Sequence, residues 1–139
     1  LYIGENMTDD RKPKILYAED EADIQLAIGK RLEFAGFDII VANNGQEALD
    51  KAKTENPNLI ILDLMMPVVG GLEVCARLRD DERFQKIPIV IMTCRGQEGV
   101  AQQCRELKVN AFIDKVSGIK PLIAKINSIL GLPEEPNNK

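Results

Sequence analysis

The 139-residue chain contains no histidine and only three cysteines. Without histidine, the chain cannot supply an imidazole as a base, a nucleophile or a metal ligand, so any imidazole chemistry has to come from a partner. Cys75, Cys94 and Cys104 are odd in number and lack the spacing of a metal site. This use of cysteine favours a reduced, cytoplasmic protein.

Long apolar runs and a strong charge of either sign are also missing. No apolar stretch approaches the roughly 18 residues of a membrane span, and no charged segment followed by an apolar one resembles a secretion signal. The net charge of −4 argues against a nucleic-acid-binding surface. An apolar fraction of 45% in 139 residues instead indicates one globular domain with a single core. We therefore expect no membrane association and no direct nucleic-acid contact.

The two ends of the chain differ from its middle. Residues 1–12 begin with Leu rather than Met and are mostly polar, so we expect an extension or an expression remnant, with Met7 as a candidate natural start. Residues 132–139 are rich in Pro and Glu, which is typical of a tail or a truncated linker. The predicted domain therefore covers residues 13–131.

Short apolar runs alternate with segments of helical periodicity across this domain. The runs are rich in β-branched residues, as in buried parallel strands, and predict strands at 14–18, 38–42, 59–62, 89–92 and 111–113. Apolar residues with helical spacing follow each run, and Gly36 suits the end of the first helix. Five successive βα units predict an α/β fold, in which a parallel sheet carries helices on both faces.

The functional site of such a sheet lies beyond the carboxyl ends of the strands. At those ends the predicted strands deliver carboxylates, one hydroxyl and one ammonium group. They are Glu19, Asp20 and Glu21 after strand 1, Asp63 after strand 3, Thr93 after strand 4 and Lys115 after strand 5.

Asp63 directly follows the apolar run in "LIILDLMMP", where an uncompensated carboxylate costs several kcal/mol to desolvate. Neighbouring carboxylates also repel one another unless a cation joins them. Oxygen ligands without histidine or cysteine favour a hard ion, with Mg²⁺ first and Mn²⁺ or Ca²⁺ as alternatives. Taken singly, each acid could cap a helix and Lys115 could be a solvated surface charge. Their convergence at the ends of several strands favours a site.

Four segments carry a family resemblance: ILYAEDE, LIILDLMMPVVGGLEV, IVIMTC and NAFIDK. In order and spacing they resemble the receiver domain of bacterial two-component response regulators, over about residues 13–131. The resemblance implies a flavodoxin-like, doubly wound fold with strand order 2-1-3-4-5. It also implies that Asp63 accepts a phosphoryl group from the phosphohistidine of a sensor kinase or a histidine phosphotransfer protein. A chain without histidine fits this receiving role.

The resemblance assigns roles in the metal and phosphoryl site. Asp63 would be the phospho-acceptor and a metal ligand. Asp20 would bind Mg²⁺ directly, Glu19 through water, and Met65 through its backbone carbonyl. Lys115 would pair with Asp63 before the reaction and with a phosphoryl oxygen after it. The chain would be a signalling module rather than an enzyme, apart from transfer to its own aspartate and slow self-dephosphorylation.

The resemblance also implies a switch. Thr93 would bind the phosphoryl group and Phe112 would reorient with it, which would change the face formed by helix 4, strand 5 and helix 5. This face would then bind an effector or a second copy of the chain. Met65, Cys94 and Arg95 would tune the lifetime of the phosphoryl group, and an apolar Met65 cannot orient an attacking water.

Three residues depart from the family pattern. Glu19 replaces the commoner Asp of the acid pair, and its extra methylene suits a contact through water. Cys94 is larger than the expected Ala, Ser or Gly, either for ordinary packing or to narrow access to the site.

Val116 stands where the family has Pro after the Lys. Because a cis bond before a non-proline residue costs roughly 2.5–4 kcal/mol, we expect a trans Lys115–Val116 bond, with Gly118 absorbing the change. Asn110 stands where many members have Gly; it either holds a positive φ, which Asn tolerates, or is an ordinary turn former, and the sequence leaves both alternatives open.

Three other functions compete with this one. A haloacid-dehalogenase-type phosphatase would need a second Asp as general acid, at the position that Met65 occupies. A flavodoxin-type electron carrier would need a phosphate loop after strand 1, where acidic residues would repel a phosphate. The serious alternative is a pseudo-receiver that binds proteins without being phosphorylated.

Overall fold

The computed structural model describes residues 12–93 and 98–133. Within these ranges, strands and helices alternate along the chain. The strands are β1 (Lys14–Ala18), β2 (Asp38–Ala42), β3 (Leu59–Asp63), β4 (Ile89–Thr93) and β5 (Ala111–Asp114). The α-helices are α1 (Ala22–Phe34), α2 (Gly45–Glu55), α3 (Gly71–Arg79), α4 (Ala101–Glu106) and α5 (Ile119–Leu130). Short 3-10 helices lie at Glu82–Phe84, Glu98–Val100 and Lys115–Ser117.

The sheet has the order β2-β1-β3-β4-β5, and every neighbouring pair is parallel. This order confirms the flavodoxin-like fold that the resemblance implied. All predicted strands begin at the predicted residues, but β3, β4 and β5 run one residue further, to Asp63, Thr93 and Asp114. The ladder continues to these polar residues, because Asp63 pairs in register with Met92 and Thr93 with Asp114. The sheet therefore carries the site residues on its last rungs.

Apolar layers cover both faces of the sheet. In β1, Ile15 and Tyr17 pack in the layer that also contains Leu32 of α1 and Leu122 of α5. Leu16, the residue between them, packs in the layer beneath α2 and α3. Because both faces are covered, every residue of β3 and of β4 is buried, which explains why these strands read as continuous apolar runs. Among the described residues, no helix is long and apolar enough to cross a membrane.

The predicted end of α1 at Gly36 is confirmed. Gly36 has φ +108° and its N–H donates to the Glu33 carbonyl at 3.0 Å, while the Phe37 N–H donates to the Leu32 carbonyl at 3.2 Å. This pair of bonds is a Schellman motif, which needs a left-handed residue that glycine adopts without strain.

The turn before β5 decides between the two alternatives for Asn110. Asn110 does not have positive φ; the left-handed residue of this turn is Lys108, with φ +58°. Asn110 instead accepts the Ile89 N–H on its side-chain oxygen at 2.9 Å and donates its own N–H to the Ile89 carbonyl at 2.8 Å. The positive-φ alternative is therefore wrong: the asparagine contributes its side chain, rather than an unusual φ, to the start of the β4–β5 pairing.

Candidate functional site

Asp63 ends β3, the middle strand of the sheet, and is only 4% exposed. Its Oδ2 accepts a hydrogen bond from Lys115 Nζ at 3.0 Å, and its Oδ1 accepts one from the Met65 N–H at 3.3 Å. Burial raises the pKa of Asp63 to about 6, although the hydrogen bond from Lys115 acts in the opposite direction. The carboxylate is therefore held in place by partners from two different loops.

Glu19 follows β1 and is completely buried. Its Oε1 lies 2.9 Å from Lys115 Nζ and 3.4 Å from the Tyr17 hydroxyl, and its Oε2 accepts the Glu21 N–H at 3.2 Å. Burial, and then the charges of Glu19 and Asp63, raise the pKa of Tyr17, which therefore stays protonated and donates. These contacts meet the need of a buried carboxylate for donors.

Lys115 lies between the two buried carboxylates, and its side chain is 12% exposed. Burial lowers the pKa of Lys115, but the hydrogen bonds to Glu19 and Asp63 outweigh burial, and the net shift is upward. The ammonium group is therefore charged and bridges the ends of β1 and β3 from the loop after β5.

The loop after β5 has the predicted trans geometry, because the described residues contain no cis peptide bond. Lys115–Ser117 forms a 3-10 turn, and Gly118 absorbs the change of direction with φ +95°. The Asp114 carboxylate accepts the Val116 N–H at 2.8 Å. Sequence reasoning missed this role of Asp114, although replacing Pro by Val restores an N–H that needs an acceptor.

The acidic side chains are close enough to share one cation. Oxygen atoms of Glu19, Asp20 and Asp63 all lie within 4.8 Å of one another. Asp20 is exposed whereas the other two are buried, so the cluster is open to solvent on one side. Its donors are all carboxylate oxygens, which suit a hard divalent ion such as Mg²⁺. The donor set thus fits the metal that the sequence predicts.

Thr93 and Phe112 lie on the neighbouring strands. Thr93 ends β4 and is 5% exposed, one strand away from Asp63. Phe112 is a half-buried residue of β5, paired in register with Ile91 and packed against the core layer beneath α2 and α3. Cys94 and Arg95, the two predicted tuning residues after Thr93, lie outside the described residues.

The loop after Asp63 exposes two large apolar side chains. Met65 is 61% exposed and Val68 is 82% exposed. Val68 also has φ +72°, a conformation that a β-branched residue adopts only under strain. Sequence reasoning missed this strain, because valine is the opposite of what a left-handed position normally carries.

A family model described as the response regulator receiver domain matches residues 15–127. The alkaline phosphatase synthesis transcriptional regulatory protein PhoP of Bacillus subtilis is 37% identical over 117 residues, 84% of this chain and 48% of PhoP. The polar-differentiation response regulator DivK of Brucella anthropi is 32% identical over 120 residues, 86% of this chain and 98% of DivK. The solved structure of chemotaxis response regulator CheY4 of Vibrio cholerae has a TM-score of 0.79 at 24% identity, over 86% of this chain and 99% of that one, which supports the fold alone.

The chain therefore belongs to the response regulator receiver domain family. Receiver domains are signalling modules that interact with sensor kinases or phosphotransfer proteins, and these relatives are named regulators rather than enzymes. The chain spans about half the length of the transcriptional regulators that it matches and nearly the whole of DivK.

Proposed function

We propose that the chain is a phospho-accepting receiver in which Asp63 takes a phosphoryl group in a Mg²⁺-dependent reaction. The donor is phosphohistidine on a sensor kinase or a histidine phosphotransfer protein. The observation that carries the proposal is the position of Asp63: a buried carboxylate at the end of the middle strand, hydrogen-bonded to Lys115 and clustered with Glu19 and Asp20.

Phosphoryl transfer to Asp63 requires little covalent chemistry from the rest of the protein. An Asp63 oxygen forms a bond to phosphorus while the phosphorus–nitrogen bond to the donor imidazole breaks, and the imidazole leaves with the electron pair and takes a proton. A bound Mg²⁺ supplies positive charge to the phosphoryl oxygens. Asp20, Glu19 and the Met65 carbonyl would hold this ion.

Lys115 and Thr93 would stabilise the transferred group. The Lys115 ammonium, now 3.0 Å from Asp63 Oδ2, would move to a phosphoryl oxygen, which its long and flexible stem allows. The Thr93 hydroxyl would donate to another oxygen and shift inward, with Phe112 following. The Lys115 ammonium and the Thr93 hydroxyl would thus stabilise the negative charge that develops on the phosphoryl oxygens.

The expected consequence is a change in the output face, defined here as α4, β5 and α5. This face would bind an effector or a second copy of the chain. The prediction that this chain makes no direct nucleic-acid contact stays a prediction, since PhoP is named as a transcriptional regulator. The cytoplasmic setting expected from the cysteines also stays a prediction; Cys75 and Cys104 are buried and free.

Intact-protein mass spectrometry tests the proposal directly. With Mg²⁺ and acetyl phosphate or phosphoramidate, we expect one added phosphoryl group, which is lost in Asp63→Asn and when EDTA removes the metal. Asp50→Asn, which changes an exposed carboxylate on α2, is the matched control and should label like the wild type.

Labelling that persists in Asp63→Asn would contradict the assignment of the acceptor. A wild-type chain that takes no label from these donors or from a phosphorylated histidine phosphotransfer domain would favour the pseudo-receiver. Nothing in the described site supports that alternative, since the acids, Thr93 and Lys115 are all in place at the rim of the sheet.

A further inference from the structure

A buried tyrosine reaches the acid cluster from inside the core. Tyr17 is completely buried in β1, and its ring packs in the apolar layer with Leu32 and Leu122. The Glu19 N–H donates to the Ala42 carbonyl at 3.0 Å and so extends the β1–β2 pairing, which places Tyr17 and Glu19 on the same side of the sheet. The Tyr17 hydroxyl lies 3.4 Å from Glu19 Oε1. The proposed chemistry assigns this hydroxyl no task.

Glu19 depends on donors from three parts of the chain. Oε1 faces the Tyr17 hydroxyl from the core and the Lys115 ammonium from the loop after β5, and Oε2 accepts the Glu21 N–H from the loop after β1. Lys115 is shared with Asp63, so it cannot serve Glu19 alone. The tyrosine and the Glu21 amide are therefore the two contacts that fix the Glu19 carboxylate independently of Asp63.

We propose that Tyr17 is a positioning residue, whose hydroxyl donates to Glu19 and holds its carboxylate in the orientation that completes the oxygen cluster with Asp20 and Asp63. Glutamate has one more rotatable bond than aspartate, so its carboxylate has more freedom to lose when a cation binds. A fixed hydroxyl removes part of that freedom beforehand, and such preorganisation strengthens binding. The inference rests on the proposed function in so far as the cluster is the Mg²⁺ site.

Tyr17→Phe removes the hydroxyl and keeps the ring. Groups that orient metal ligands typically change metal affinity by about 10–100-fold, and a 3.4 Å contact is long for an O–H···O bond. We therefore expect the Mg²⁺ dissociation constant of the full chain, measured by calorimetric titration, to rise about three- to tenfold. In the absence of metal, the Glu21 amide proton resonance should move, because the carboxylate that it contacts is less restrained.

A double-mutant cycle shows whether Tyr17 acts through Glu19. In Glu19→Asp the shorter side chain withdraws the carboxylate from the ring, so adding Tyr17→Phe should change the Mg²⁺ dissociation constant by less than about twofold. Phe37→Leu is the control for stability, because Phe37 packs in the same apolar layer away from the acids. It should lower the unfolding free energy and leave both the Mg²⁺ affinity and the Glu21 resonance unchanged.

An unchanged Mg²⁺ affinity in Tyr17→Phe would overturn the inference, as would an equal change in the Glu19 and Glu19→Asp backgrounds. A wild-type chain that bound no Mg²⁺ would instead overturn the proposed function. The Glu21 amide proton resonance of Tyr17→Phe, measured without metal, would then test the role of Tyr17. An unchanged resonance would refute the positioning role, and a shifted resonance would support it.

Discussion

At the scale of single residues, the loop after Asp63 combines strain with exposure. Val68 holds φ +72° while 82% of it faces solvent, so its side chain gains little from burial in return for the strain. Strained backbone of this kind tends to occur beside functional sites, where the surrounding structure maintains it. The strain can be measured, because glycine relieves it without removing any packed atoms.

We expect Val68→Gly to raise the unfolding free energy measured in urea. A left-handed residue with a Cβ costs about 1–2 kcal/mol, and glycine removes this cost. Glycine also has more freedom in the unfolded chain, which lowers stability by about 0.5–1 kcal/mol. The net gain in unfolding free energy should therefore be about 0.5–1 kcal/mol. Val68→Ala is the control: it removes the exposed methyl groups and the β-branch but keeps a Cβ at the left-handed position, so it should gain less stability than the Gly variant. A Gly variant less stable than the Ala variant would show that φ is not strained here.

Met65 should set the lifetime of the phosphoryl group. Its backbone N–H contacts Asp63, and its exposed thioether side chain cannot orient an attacking water. We expect the phosphorylated Met65→Asn variant to lose its phosphoryl group faster than the wild type. Mass spectrometry after removal of the donor measures this rate, and Met65→Leu is the apolar control. Equal rates in the Asn and Leu variants would exclude this role.

At the scale of elements, the starts of two helices lie in close backbone contact with Asp63 and the loop after it. The first residue of α2, Gly45, lies so near the Val69 carbonyl that an added Cβ would overlap it, and Gly71 at the start of α3 is similarly close to the Asp63 carbonyl. Helix α1 also contains a glycine, Gly29, but a Cβ there would meet no atom within 4 Å.

This contrast predicts opposite effects of the same substitution. Gly45→Ala should lower the unfolding free energy by about 1–3 kcal/mol, because the helix or the loop has to shift to admit a methyl group. Gly29→Ala should raise it by about 0.5–1 kcal/mol, the difference in helix propensity. Urea unfolding of both variants tests this packing. If Gly45→Ala leaves the unfolding free energy unchanged, the start of α2 does not pack closely against the Val69 carbonyl.

Arg79 joins the end of α3 to two other segments. Its guanidinium donates to the carbonyls of Phe84 at 2.7 Å, Leu107 at 2.9 Å and Lys108 at 3.0 Å. Leu107 is the C-cap of α4, a helix of only 6 residues, and Lys108 follows it. An arginine of α3 therefore anchors the segment that directly follows the short helix.

We expect Arg79→Met to lower the unfolding free energy by about 1–3 kcal/mol, because it leaves partly buried carbonyls without their donor. Amide exchange should also quicken in residues 104–109. Arg77→Met is the control, since Arg77 makes an exposed pair with Glu73 on the same helix that contributes about 0.5 kcal/mol at most. Similar losses in both variants would refute the anchoring role.

At the scale of the whole molecule, the proposed phospho-acceptor and the output face are separated by a single strand, β4. Asp63 ends β3, Thr93 ends β4, and Phe112 lies in β5, in the order in which these strands neighbour one another. A shift of Thr93 can therefore reach β5 across one strand spacing. No long pathway through the core is needed.

Hydrogen exchange should show this coupling. On phosphorylation we expect altered amide protection within residues 98–125, which include α4, β5 and the first half of α5, and little change in β2, at the opposite edge of the sheet. Asp63→Asn treated with the same donor should show neither. Changes confined to the residues around Asp63 would mean that phosphorylation does not reach this face.

The architecture and the site could be predicted from the sequence because both depend on local patterns of apolar and polar residues. The strands begin where their apolar runs begin, and the site follows from polar residues at the carboxyl ends of those runs. Tertiary contacts explain what was missed. The side-chain role of Asn110 depends on its contact with Ile89, which is distant in sequence. The positive φ of Val68 could not be predicted either, because valine disfavours this conformation. The contact between the Tyr17 hydroxyl and Glu19 was also missed, because it depends on how both side chains are buried.

The position of Tyr17 also gives the protein an optical reporter. The chain has no tryptophan and two tyrosines, so phenol rings dominate its emission. A phenol hydrogen-bonded to a carboxylate loses excitation by passing its proton to that acceptor, and a cation on the acid cluster would suppress this loss. In a Tyr2→Phe background the remaining fluorescence comes from Tyr17 alone. Ligand occupancy at Glu19 can then be followed by the brightness of one native ring, without a dye or a label.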